Sequence, residues 1–213
     1  MRNPIQRAGV IGALASFSLT ASAGAEILPL GYGFDRYTAC GTFCYHDSTG
    51  TQLIDGRYGV AGWGVDLGNG GAYEWVGWLR SSPVNIDFDF GAKTRIGLVE
   101  IGTTQDDLDD VVLPSVEVYQ WQDGAWVAVG SLNVPGDSAN NRFWLSTDPH
   151  GFLVLDGLDI DSDRVRVSLS SSPWTFVDEV NFYAAPVPEP ETYTMMLAGL
   201  GILGAVARRR RRA

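Results

Sequence analysis

Apolar and polar positions alternate along most of this chain in short runs. Val84, Ile86, Phe88 and Phe90 alternate with Asn85, Asp87 and Asp89. Such a period-two run buries one face of a strand and wets the other. Val116 and Val118 alternate with Ser115 and Glu117, and Val165, Val167 and Leu169 alternate with Arg164, Arg166 and Ser168. Further strands are predicted at Tyr73–Leu79, Ile96–Ile101, Trp126–Val129, Arg142–Ser146, Phe152–Leu155 and Phe176–Tyr183. No long apolar stripe of period 3.6 runs through the middle of the chain, so no helix is predicted there. Within Trp121-Gln122-Asp123-Gly124-Ala125-Trp126, the Asp-Gly pair predicts a two-residue hairpin, because glycine supplies the positive φ that a primed turn requires. Many short strands punctuated by Gly, Asn, Asp and Pro make the body all-β, an antiparallel β-sandwich.

The two ends follow other patterns. Arg2 and Arg7 precede an apolar stretch, Ala8 to Leu19, that is short for a bilayer span. Ala21-Ser22-Ala23 and Ala23-Gly24-Ala25 come next, and each fits a small-x-small cleavage site. Residues 1–25 therefore read as a signal peptide cut after Ala23 or Ala25, the other reading being an uncleaved anchor helix. At the far end, Val187-Pro188-Glu189-Pro190 is a stiff extended segment. Tyr193 to Ala207 is uncharged and mostly apolar, and Arg208, Arg209, Arg210, Arg211 and Arg212 almost close the chain. With Thr192 and snorkelling arginines at its edges, residues 192–207 are expected to form a transmembrane helix with the arginine tail on the cytoplasmic side. Both ends predict one topology, a membrane-anchored precursor whose body, residues 26–186, lies outside the cytoplasmic membrane.

Composition refines this picture. The chain has 213 residues and a formal net charge of -10, a length suited to one domain with appendages. Seven of its 15 basic residues lie at the two ends, so the body is far more acidic than the total implies. Such a body lacks the Lys and Arg that neutralise phosphates, which argues against nucleic acid as a partner. Hydrophobic residues at 45% and charged residues at 19% argue against disorder. Two cysteines are too few for a disulfide scaffold.

Pro188-Glu189-Pro190, a short glycine-bearing apolar helix and a terminal arginine cluster together resemble the PEP-CTERM sorting signal, here over residues 187–213. That resemblance implies processing near the triplet by exosortase, a membrane-embedded transpeptidase. Delivery to the cell surface or extracellular matrix would follow, in hosts that often make exopolysaccharide. The body resembles a discoidin-like, galactose-binding-type jelly roll. The residues that carry this are Leu53-Ile54-Asp55-Gly56, Val84–Phe90 with Gly91, Ile96–Ile101, Pro114–Val118 before the hairpin, Arg164–Val167, and Val177-Asp178-Glu179-Val180. The disulfide that ties first and last strands in coagulation-factor C domains has no counterpart here. The resemblance implies a structural Ca2+ held by Asp55 and Glu179, with backbone carbonyls near Asp47 and Thr51 completing the oxygen shell.

The remaining chemistry is sparse. Cys40 and Cys44 lie in an exported segment, where an oxidising compartment favours a local disulfide. Free thiols, or a metal pair with His46, are the other readings. Asp159, Asp161 and Asp163 have EF-hand spacing, but Arg164 and Ser170 occupy the positions that need Gly and Glu, so they read as a solvated turn before a strand. Among seven tryptophans, most are expected in the core. Trp63, in a glycine-rich stretch, and Trp174, after Ser171-Ser172-Pro173, are the candidates for stacking on a sugar ring. His46 and His150 fall in no nucleophile or metalloprotease motif, so no catalytic residue is assigned. The expected role is non-enzymatic: an exported carbohydrate- or exopolysaccharide-binding protein. A passive matrix protein is the alternative, and a glycan-acting enzyme a more distant one.

Overall fold

The computed structural model describes residues 24–39, 45–59, 74–105, 111–134, 151–171, 173–185, 199–200 and 208–209. They form nine strands: β1 (Glu26–Ile27), β2 (Gly31–Phe34), β3 (Val76–Leu79), β4 (Val84–Thr103), β5 (Ser115–Gln122), β6 (Ala125–Leu132), β7 (Gly151–Leu155), β8 (Ile160–Ser170) and β9 (Trp174–Ala184). Every paired strand is antiparallel to its neighbour.

β4 is 20 residues long and changes partners along its length. Its first half lies between β2 and β8, and β8 continues to β5 and β6. Its second half lies between β9 and β7, and β9 carries β1 and β3 on its far edge. Two layers therefore share one strand. They face each other: the Phe88 and Phe90 rings of the first half meet Phe182 of β9 at 4.9 and 5.1 Å, edge to face.

The sequence accounts for the bend. Val84, Ile86, Phe88 and Phe90 are buried at even positions, and Val99 and Ile101 at odd ones. A strand cannot change parity without an irregularity, because adjacent side chains point to opposite faces. The pairing with β8 shifts between Asp89 and Thr94, and the pairing with β9 shifts twice, at Ile96/Leu98 and Ile101/Thr103. Gly91 sits at the corner with φ +69, a conformation costly for any residue with a Cβ.

The runs predicted at Val84–Phe90 and Ile96–Ile101 are thus halves of one strand. The Asp123-Gly124 hairpin forms as expected, with φ of 50 and 85 and Trp121 opposite Trp126. Asp161 and Asp163 lie within β8 rather than in a turn before it, since β8 already begins at Ile160. β1 and β2 were not predicted, because two residues show no period and the alternation of Tyr32 and Phe34 in Gly-Tyr-Gly-Phe is only one repeat long. Trp75 and Trp78 are fully buried, as expected of core tryptophans.

Among the described residues, no helix is long and apolar enough to cross a membrane. The expected span 192–207 lies outside them apart from Gly199 and Leu200, as does the arginine block apart from the exposed Arg208 and Arg209. Of the expected signal peptide only Gly24 and Ala25 are described. The strand predicted at Arg142–Ser146 also falls outside.

Candidate functional site

Three places carry the chemistry. The first lies where the loop Tyr45–Gly59 folds onto β9. Asp47 organises its own turn: Oδ1 accepts from the Gly50 amide at 2.8 Å and the Thr49 hydroxyl at 3.4 Å, and Oδ2 accepts from the Tyr32 hydroxyl. The Tyr32 oxygen in turn accepts from the Leu53 amide at 3.1 Å. Burial, then the hydrogen bond to Asp47, pushes the Tyr32 phenol well above its usual range. The Thr51 carbonyl accepts from the Ile54 amide at 3.0 Å, and Leu53 O accepts from the Val180 amide at 2.9 Å, tying loop to strand.

Two adjacent carboxylates of β9 are buried beneath this loop. Asp178 is 0% and Glu179 2% exposed. Asp178 Oδ2 accepts from the Gly59 amide at 2.7 Å, and Glu179 Oε2 from the Gly56 amide at 3.0 Å. Asp178 lies directly over Gly102, where an added Cβ would fall 1.9 Å from Oδ1. The glycine is what leaves room for the carboxylate. Asp55 is near enough to disfavour a second charge on Glu179, while its own Oδ1 accepts from the Arg57 amide at 3.0 Å. Burial is the main cause that raises Asp178 to about 7 and Glu179 to about 8. Of the residues expected around calcium, Asp55 is felt electrostatically at Glu179, the Thr51 carbonyl is engaged by the Ile54 amide, and the Asp47 side chain, as distinct from its carbonyl, is committed to Tyr32 and the turn. Among the described residues, no three His, Cys, Asp or Glu side chains converge closely enough to hold a metal ion by themselves.

The second place is the loop end around Trp174. This half-buried ring stacks on Phe176 at 5.2 Å and 14°, and meets the edge of Tyr45 at 5.8 Å. With Trp75 and Val111 these residues form a small core of their own, so Trp174 has a packing role. Trp63, its companion in the sequence-based expectation, lies outside the described residues, as do Cys40 and Cys44. The residues flanking the two cysteines are held together, the Tyr45 amide donating to Ala39 O at 2.9 Å. His46 Nδ1 is hydrogen-bonded to the Thr38 hydroxyl at 2.7 Å.

The third place joins two stretches that the sequence presented separately, the Asp123-Gly124 hairpin and Asp159–Asp163. The β5–β6 hairpin, the bend of β4 and the start of β8 enclose a cleft of about 430 Å³, lined by Lys93, Gln120, Trp121, Gln122, Asp123, Asp159, Asp161 and Asp163. Gln120 Oε1 accepts from the Asp161 amide at 3.1 Å, and the Ser162 hydroxyl donates to Trp121 O at 2.8 Å, so the walls are fixed to one another. Lys93 approaches Asp161 at 4.0 Å. Arg164 lies over the Trp121 ring at 4.2 Å, and Trp121 meets Trp126 at 5.1 Å. Arg166 lies over Trp126 at 4.4 Å and grips Asp87 with two hydrogen bonds of 2.6 and 2.8 Å. The available signal was the pair of tryptophans flanking the Asp-Gly turn, which places them side by side across a hairpin.

The buried acids make stability depend on pH. Both folded values exceed the ordinary ones, 3.8 for Asp178 and 4.5 for Glu179, so the fold binds protons that the unfolded chain releases. Their contribution is full below about pH 4 and is lost as pH rises through about 8. In chelator, the melting temperature of the exported protein should fall across that window, and Glu179→Gln should reduce the upper part of the fall. Differential scanning calorimetry at several pH values reads this directly, and a flat profile would contradict it.

No curated protein matches the sequence. Among solved structures, the chain is similar to the CBM32 of AlyQ in complex with 4,5-unsaturated mannuronic acid, at 13% identity and a TM-score of 0.46, over 76% of this chain and 99% of that one. It is similar to the CBM32-1 and CBM32-2 domains of Clostridium perfringens ZmpB in complex with GalNAc, at 12% identity and a TM-score of 0.48, over 74% of this chain and 33% of that one. It is also similar to the family 32 CBM of C. perfringens NanJ in complex with galactose, at 13% identity and a TM-score of 0.42, over 74% and 97%. Residues 186–212 match the PEP-CTERM protein-sorting motif, so the chain carries the C-terminal signal of an exported, surface-sorted protein.

Proposed function

We propose that this chain is an exosortase substrate whose body, a discoidin-like jelly roll over residues 26–186, binds carbohydrate at the surface or in the extracellular matrix without acting on it as an enzyme. The observation that carries this reading is the sorting motif over residues 186–212. The precursor would be led out by residues 1–25 and held in the membrane by residues 192–207. Cutting near Pro188, Glu189 and Pro190 would then release or attach it.

The Trp121 cleft supports the carbohydrate part. Sugars are recognised by an apolar ring face beside planar hydrogen-bonding groups, and Trp121, Gln120, Gln122 and the surrounding aspartates offer both. Trp174 at its loop end, and Trp63, which lies outside the described residues, are the other candidates for contact with a glycan. The passive matrix reading also has an observation behind it: Arg164 already occupies one face of Trp121.

Calcium belongs to the same proposal. Asp55 and Glu179 would supply its acidic oxygens and the carbonyls near Asp47 and Thr51 the neutral ones, since calcium takes six to eight oxygens. When bound, the ion would supply the positive charge that lets Glu179 ionise in its buried place. A divalent cation would also let so acidic a body approach an anionic polysaccharide.

Mass spectrometry of the surface-exposed protein should find a C-terminus or new linkage near Pro188–Pro190, and intact Arg208–Arg212 there would overturn the sorting step. On a glycan array or the host's own polysaccharide, Trp121→Ala should weaken binding by about 5- to 10-fold, the worth of an aromatic contact. Trp174→Ala should mainly lower stability. No binding by the folded wild-type protein would favour the passive role. Millimolar calcium should raise the melting temperature more at pH 8 than at pH 5, and Glu179→Gln should remove the difference. An equal rise in both proteins would count against the site.

A further inference from the structure

Small residues occupy the positions needed for export cleavage at two bonds, Ala23–Gly24 and Ala25–Glu26, so the sequence alone leaves the choice open. The fold distinguishes them. β9 is the last strand, and its outer edge is covered by three separate segments. β3 pairs with Trp174 to Val177, the Leu53 carbonyl takes the Val180 amide, and β1 pairs Ile27 with Phe182 and Glu26 with Tyr183. The cover ends on Ala25, whose carbonyl accepts from the Ala184 amide at 2.8 Å. Gly24 packs so closely on the same residue that an added Cβ would lie 1.9 Å from Ala184 O. Residues 24 and 25 thus continue the cover of β9 beyond the end of β1.

We infer that the export peptidase hydrolyses the Ala23–Gly24 bond, an inference that rests on reading residues 1–25 as an export signal. Water adds across that amide, leaving a carboxylate on Ala23 and a free amine on Gly24. A cut two residues later would remove the Ala25 carbonyl and leave the Ala184 amide at an open sheet edge, the kind of edge that pairs with other chains. The same bond is selected whether the cut precedes or follows folding. Before folding, the product must retain Ala25 to close the edge. After folding, the Ala25–Glu26 bond is held against β9 on both sides, where a peptidase that must pair with the substrate backbone itself cannot take it.

The Ala185 amide donates to Arg95 O at 3.3 Å, so the described end of the β9 segment lies beside the place where the mature N-terminus begins. The new N-terminus seals the end of β9, the strand that precedes the sorting motif in the sequence.

The test uses protein recovered from the envelope or medium of a processing-competent host. N-terminal sequencing and intact mass should give a chain beginning at Gly24. Amide exchange should show Ala184 slowed at least about 100-fold relative to free peptide, as expected for a bonded strand end. An exported chain beginning at Glu26, or rapid exchange at Ala184, would overturn the inference while leaving the export reading intact. A surface protein still beginning at Met1 would overturn both.

Discussion

One strand has to serve two layers. β4 pairs with β2 and β8 in its first half and with β9 and β7 in its second, so every other strand is placed by where β4 bends. The bend works because Gly91 takes a left-handed conformation and the register slips three times. Those slips let apolar residues of opposite parity face one core. Phe88, Phe90 and Phe182 then close the layers on each other, with ring contacts that a flat sheet could not make. The cleft is a by-product of the same corner. Lys93 is on the bend, and Asp161 and Asp163 lie on β8 where it follows the slip.

The acid centre depends on a second constraint, the docking of the Tyr45–Gly59 loop onto β9. Backbone amides of Gly56 and Gly59 meet the carboxylates of Glu179 and Asp178, and the Leu53 carbonyl meets the Val180 amide. These bonds join positions more than a hundred residues apart in the chain. Burying two neighbouring acids opposes folding when they ionise, which a core of this kind tolerates only with strong amide donors or a cation nearby. The site therefore couples a local charge state to the attachment of the whole loop.

Much of the architecture was legible in the chain itself. Alternation in Val84–Phe90 and Val165–Leu169 showed strands because a half-buried strand leaves its period in the sequence, and Asp123-Gly124 showed its turn because few other pairs reach positive φ twice. Asp55 and Glu179 were paired by resemblance alone; in the fold the charge of Asp55 is felt at Glu179. The packing of Trp174 on Phe176 and Tyr45 was not legible, because loop position says nothing about which faces of a ring are covered. Trp121 was passed over because its neighbours in the cleft, Lys93 and Asp161, are distant in sequence.

The chain by itself determined the all-β class, the hairpin and the sorting signal at residues 186–212, because each is written in local order: period, turn dipeptide, and the succession of proline, apolar and basic residues. Only the tertiary structure decided that two predicted strands are one, that Asp178 and Glu179 are buried, and that Trp121 opens on a cleft while Trp174 packs. Burial and proximity follow from sheet register. Register is set by the sum of contacts over the whole sandwich, which no local stretch contains.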